Sequence, residues 1–166
     1  MDVGGGNGFL LSRILAWNPK LSGTLFDLPH VAAGAKKVLA AAGVGARCEI
    51  KPGSFFESIP AGADLYIMKS IIHDWDDDRS RQILAKCHAA MSPQAKLLLI
   101  ERVLPEIADP GESAYPFLMD LEMLMNTSGG RERTAEEFRV LLASAGFELQ
   151  RVIPAGELSI VEARPR

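Results

Sequence analysis

The sequence contains no apolar run approaching the roughly 20 residues that a bilayer-spanning helix needs. It opens Met1-Asp2-Val3 and passes straight into glycines, without the basic and apolar regions of a signal peptide. Basic residues are not in excess. Eighteen Lys and Arg against 21 Asp and Glu give a net charge of −3, which argues against a nucleic-acid partner. Only two cysteines occur, Cys48 and Cys87, and their spacing fits no metal motif. Two buried thiols in a reducing cytoplasm are the expectation. There are no repeats, low-complexity stretches or internal linkers. What is present suits one soluble domain. The 166 residues, 48% hydrophobic and 23% charged, suffice to bury a substantial core.

Strand-like and helix-like segments alternate. Helices are expected over 9–17, 31–42, 77–91 and 119–125, and another starts at Thr134, where Glu137 completes a capping box. Strands are expected over 23–27, 47–51, 63–69 and 96–101, the last reading as buried on both faces. Two closing strands, near 148–153 and 158–163, are joined by Pro154-Ala155-Gly156, too short for a crossover helix. The pattern predicts an α/β domain with a mostly parallel sheet, helices on both faces and an antiparallel final pair. Residues 105–116, with Pro105, Pro110, Gly111 and Pro116, read as a loop.

The most informative segment is Asp2-Val3-Gly4-Gly5-Gly6-Asn7-Gly8. A glycine turn between a strand and a helix lets a ligand approach the backbone, because no Cβ intervenes. The glycines at 4, 6 and 8 follow Gly-x-Gly-x-Gly rather than the dinucleotide Gly-x-Gly-x-x-Gly, and Phe9 stands where the third dinucleotide glycine would be. That disfavours a nicotinamide dehydrogenase. Asp27 follows at the end of the next strand, where a carboxylate can accept from both ribose hydroxyls. Turn, strand and acid together suit an adenosine-containing cofactor. An N-terminal acid for the helix after Pro29 is the other reading of Asp27.

The chemistry points to Met68-Lys69-Ser70-Ile71-Ile72-His73-Asp74-Trp75. His73 follows an apolar strand, at the carboxyl edge where open α/β sheets bind ligands, and its side chain suits proton abstraction near neutral pH. Glu101 ends the next apolar strand on the same edge, and Glu132 lies in a second glycine turn, Gly129-Gly130-Arg131-Glu132-Arg133-Thr134. Carboxylates beside a histidine can fix its tautomer and orientation. A helix-capping histidine and a charged loop feeding the capping box are the plainer alternatives.

These segments, with Phe26-Asp27-Leu28-Pro29 and Gly53-Ser54-Phe55-Phe56, resemble the catalytic domain of the plant-type O-methyltransferases, the family of caffeic acid and hydroxyneurosporene O-methyltransferases. The resemblance spans nearly the whole chain. It implies a Rossmann-like methyltransferase fold and S-adenosylmethionine as donor, leaving S-adenosylhomocysteine. Gly4, Gly6, Gly8, Asp27, Leu28, Ser54, Phe55 and Lys69 would then hold the cofactor. His73 would be the general base, positioned by Glu101 and Glu132, without a metal. Asp74, Met119 and Met123 would face a small aromatic, polyketide or isoprenoid-like hydroxyl acceptor, although core packing also explains the methionines. Ser54 stands where the family has Asp, so a charged contact is missing. The resemblance also implies an N-terminal helical dimerisation domain and a longer first strand, which residues 1–166 do not contain. The expectation is a catalytic domain over 1–166 whose homodimer is weakened accordingly. A cofactor-binding remnant without its own activity, or a relative performing hydroxylation or decarboxylation, are the competing functions.

Overall fold

The computed structural model describes residues 1–109, 111 and 113–166. The strands are β1 (Asp2–Val3), β2 (Gly23–Asp27), β3 (Cys48–Pro52), β4 (Leu65–Lys69), β5 (Lys96–Glu101), β6 (Val103–Leu104), β7 (Arg133–Thr134), β8 (Phe147–Ala155) and β9 (Leu158–Pro165). The helices are α1 (Phe9–Trp17), α2 (Pro29–Ala32), α3 (Ala35–Ala41), α4 (Asp77–Ala90), α5 (Tyr115–Asn126) and α6 (Ala135–Ser144). Seven strands form one sheet in the order β3-β2-β1-β4-β5-β9-β8, with β6 and β7 pairing apart. Strands β1 to β5 are parallel, and β9 runs antiparallel to both β5 and β8. The α/β class, the parallel sheet and the antiparallel closing pair are as the sequence predicts.

Successive residues of β2 show why helices are needed on both faces. Leu25 packs with Leu11, Leu15, Ala35 and Leu39 of α1 and α3. Phe26 lies in the other cluster, with Ile83 and Leu84 of α4 and Phe138, Leu141 and Leu142 of α6. Period-two alternation sends neighbouring side chains to opposite faces. The strand order reverses between β1 and β4, which opens a crevice at their carboxyl ends, the place where such sheets take ligands.

Several local expectations are corrected. The helix over 31–42 is two helices, starting earlier at Pro29 and broken around Gly34. Proline favours a first helical turn, and glycine weakens a helix interior. Strand β5 is not buried on both faces: Leu97, Leu99 and Glu101 are buried while Leu98 and Ile100 are half-buried. Helices α4 and α6 cover one face there, whereas α1 and α3 cover the β2 side of the other face. Pro116 belongs to the first turn of α5 rather than to the preceding loop, and Pro110 lies outside the described residues. Cys87 is buried but Cys48, opening the edge strand β3, is half-buried. The β6–β7 ladder was not expected. It pairs Val103 with Arg133 and Leu104 with Thr134.

Candidate active site

The carboxyl ends of β1, β2, β4 and β5 supply the site. Gly4, Gly6 and Gly8 all have positive φ, at 70°, 59° and 81°. Their surroundings differ. A Cβ on Gly8 would come within 2.9 Å of Leu25 Cδ1, and one on Gly4 would collide with Ile71. Those two glycines let the turn pack closely on Leu25 of β2 and on Ile71, just past β4. A Cβ on Gly6 would meet nothing within 4 Å among the described residues, so of the three it alone faces open space there.

Asp27 is bound to this turn. Its Oδ2 accepts from the Gly6 N–H at 2.8 Å and its Oδ1 from the Leu28 N–H at 2.6 Å. Each carboxylate oxygen keeps a further lone pair. Leu28 itself is exposed. Phe55 lies close to Gly4 and stacks edge-on with Phe56 and Trp75. Ser54 is half-buried, and its Oγ accepts from the Phe56 N–H at 3.3 Å, holding a local turn. Lys69 is exposed at the end of β4, its Nζ 3.4 Å from Ser70 Oγ. These residues therefore share one rim, with Asp27 and Gly6 at its open part.

His73 lies in a 3₁₀ turn, Ile72–Asp74, that follows β4. Glu101 holds this turn from the end of β5: its Oε1 accepts from the Ile71 and Ile72 N–H groups at 3.0 and 2.8 Å. Its Oε2, without a hydrogen-bond partner among the described residues, lies 3.5 Å from His73 Nδ1. Glu132 Oε1 lies at the same distance from Nδ1, and Asp74 Oδ1 is 3.4 Å from Nε2. Both glutamates are buried, at 0% and 5% exposure. The expected trio thus meets around one imidazole. The 3.5 Å separations exceed ordinary hydrogen-bond lengths.

The electrostatics follow from burial. Desolvation pushes Glu101 up to about 7, against the opposing pull of His73. Burial works to lower the His73 pKa, but the close approach of Glu132 and the charges of Glu101, Glu132 and Asp74 prevail, and the net shift is upward. Two acids facing Nδ1 favour a proton there, which leaves Nε2 as the basic nitrogen once the ring is neutral.

Ligand atoms of His73, Glu101 and Glu132 lie within 4.8 Å of one another, a spacing a divalent ion could bridge. One neighbour opposes that use: Arg102 Nε lies 3.8 Å from Glu132 Oε1. Arg102, which also lies over the Tyr115 ring, is a site residue missed by sequence reasoning; adjacency to Glu101 was its only signal. Asp2 is another. It is buried beneath the turn, with Oδ2 unpartnered among the described residues, and burial raises its pKa to about 6.

Helix α5 borders the acids. Asp120 Oδ1 accepts from the Glu132 N–H at 2.8 Å. Met119 and Met123 share the half-buried face of α5 with Asp120, while Leu118, Leu121, Leu124 and Met125 are exposed. A separate cavity of about 640 Å³ lies at the opposite end of the sheet, by Met1, Thr24 and Leu65, and contains none of the candidate catalytic residues.

The family model of the O-methyltransferase domain matches residues 1–148. The chain belongs to this family. Over 99% of its length it is 51% identical to phenazine O-methyltransferase PhzM of Lysobacter antibioticus, covering 48% of that protein. It is 44% identical to O-demethylpuromycin-O-methyltransferase of Streptomyces alboniger, over 99% of this chain and 44% of the relative. Among solved structures, the O-methyltransferase NcsB1 of neocarzinostatin biosynthesis superposes with a TM-score of 0.89 at 37% identity, over 99% of this chain and 48% of that one. That structure holds S-adenosylmethionine and 2-hydroxy-5-methyl naphthoic acid. This O-methyltransferase domain therefore spans about half the length of the relatives it matches, and its sheet is that of S-adenosylmethionine-dependent methyltransferases.

Proposed function

We propose that residues 1–166 form the catalytic domain of an S-adenosylmethionine-dependent O-methyltransferase that methylates a hydroxyl of a small aromatic or polyketide-like acceptor. The observation that carries this reading is His73 set between Glu101 and Glu132, on the rim that also presents Asp27 and the open face of Gly6. The residues fit the cofactor. Asp27 is oriented by two backbone donors and has lone pairs left for a ribose diol, Gly6 leaves room above the turn, and Phe55 offers an aromatic wall. When bound, S-adenosylmethionine supplies an electrophilic methyl group on a sulfonium centre.

His73 Nε2 takes the proton of the acceptor hydroxyl. Glu101 and Glu132 hold the ring by Nδ1 and stabilise the imidazolium that results. Asp74 stands at the entrance to Nε2, where it can contact the acceptor, and Met119 and Met123 offer adaptable apolar contacts to its ring. Holding the two reactants in line supplies most of the acceleration this chemistry needs. Arg102 beside Glu132 favours a site without a metal. The exposed apolar residues of α5 support self-association as a homodimer, and two cysteines outside any disulfide support a cytoplasmic setting. Among the described residues no helix is long and apolar enough to cross a membrane.

Calorimetry with S-adenosylhomocysteine and with NADH tests the cofactor. Binding of the first and not the second is expected, and the reverse would overturn the reading.

A further inference from the structure

Arg133 is the largest fully buried side chain, at 1% exposure, and it touches none of the proposed reacting groups. Its whole guanidinium is engaged. Nη1 donates to the carbonyls of Ile72 and Arg131 at 3.1 and 3.2 Å. Nη2 donates to the Trp75 carbonyl at 2.9 Å, to Asp77 Oδ1 at 2.8 Å and to Ser80 Oγ at 3.4 Å. Nε donates to Asp77 Oδ1 at 3.1 Å. The carbonyls of Ile72 and Trp75 bracket His73. The carbonyl of Arg131 immediately precedes Glu132. One planar group thus ties the chain segment carrying the imidazole to the segment carrying its acid.

Stability alone is a poor account of this residue. A buried charge is costly to desolvate, and well-packed apolar side chains often replace such groups without loss. The carboxylate that compensates it, Asp77, is also shared with Arg131. What a guanidinium offers instead is a rigid fork that fixes the directions of several acceptors at once; lysine presents its donors from a single nitrogen. Ser80, fully buried, completes the clamp by donating towards the same two carbonyls, of Ile72 and Trp75, at 3.3 Å each.

We propose that Arg133, seated by Ser80, is a positioning residue that sets the distance between His73 and Glu132. The inference rests on the reading of His73 as the base. Four charged groups bear on the assembly: Glu101 at the end of β5 with Arg102 next to it and behind Glu132, Glu132 from the glycine turn, and Asp74 from the 3₁₀ turn of His73 itself. Arg133→Lys keeps the charge and loses the fork, so Glu132 drifts from Nδ1 and His73 loses a group that favours its protonated form.

The test is an NMR titration of the full chain, with the His73 signal assigned by its loss in His73→Gln. In Arg133→Lys the His73 midpoint moves to lower pH, while S-adenosylhomocysteine affinity stays within about twofold. Turnover with a hydroxynaphthoic acid falls about 10- to 100-fold, the range expected for misplacement of a reacting group, and its acidic limb follows the midpoint. A purely structural arginine would lower Tm and leave the midpoint at its wild-type value, which would overturn the proposal. Ser80→Ala, a milder change, is expected to move the midpoint the same way by less. If Arg133→Lys does not fold, an unmoved midpoint in Ser80→Ala decides against the clamp. Wild-type turnover in His73→Gln would sink the base assignment itself. An inactive His73→Gln with an unmoved Arg133→Lys midpoint would sink only the positioning role.

Discussion

His73 and Asp2 make predictions of opposite kinds, because one is raised by neighbouring acids and the other by burial. As the proposed base, His73 must be neutral to accept a proton, and its folded pKa is above the ordinary 6.5. Turnover should therefore rise with pH along a limb placed above 6.5. His73→Ala should cost about 10²- to 10⁴-fold in turnover and leave S-adenosylhomocysteine affinity nearly unchanged, as calorimetry would read. The same shift runs the other way for stability. The contribution of His73 is fully present below 6.5 and is lost as pH rises through the folded value. Asp2 is an acid raised from 3.8 to about 6. Its folded form holds the proton more tightly than the unfolded chain does, so stability drops as pH climbs between those values and the full cost applies above them. Asp2→Asn keeps the shape and removes the charge. Thermal melts should show it more stable than the wild type at pH 8, by on the order of 1–3 kcal/mol, and equal to it near pH 3.

At the scale of elements, the three turn glycines separate packing from binding. Gly8→Ala must displace Leu25 and strain a φ of 81°, so it should lose stability by about 1–3 kcal/mol. Gly6→Ala meets no neighbour among the described residues and carries only the backbone strain, yet it puts a methyl into the open space beside the turn that Asp27 holds. Its signature should be a loss of S-adenosylhomocysteine affinity larger than its loss of stability, measured by calorimetry beside denaturant melts. Sequence spacing located all three glycines but could not tell them apart, because that distinction lies in Leu25 and Ile71, remote in the chain. The same division holds elsewhere. Strand and helix periodicity placed β2, β5, α1 and the capping box of α6, where Thr134 and Glu137 exchange hydrogen bonds as expected. The motif residues His73, Glu101 and Glu132 were legible as types, each at the end of a strand or in a turn. The β6–β7 ladder, two residues on each side, is too short to leave a period. Arg102 and the clamp around Arg133 depend on contacts between segments far apart in sequence, and an arginine in a charged loop reads the same whether it is solvated or buried.

For the whole molecule, the reversal of strand order between β1 and β4 places the residues proposed to hold the cofactor and those proposed for catalysis on a single edge, supplied by both halves of the sheet. A ligand that binds there stabilises all of it. At 100 times its dissociation constant, S-adenosylhomocysteine should raise the unfolding free energy by about 2.7 kcal/mol, seen as a concentration-dependent rise in Tm; a flat Tm would contradict binding to the folded domain. The exposed leucines of α5 act at the same scale. Leu121→Glu with Leu124→Glu should reduce any concentration-dependent sedimentation without moving the unfolding midpoint, since both residues are exposed. The small ladder between β6 and β7 adds a built-in gauge. It joins the segment just beyond Glu101 to the segment just beyond Glu132. Amide hydrogen exchange across Val103–Leu104 should therefore report how often the two acids part in solution, and should slow when an acceptor closes the site.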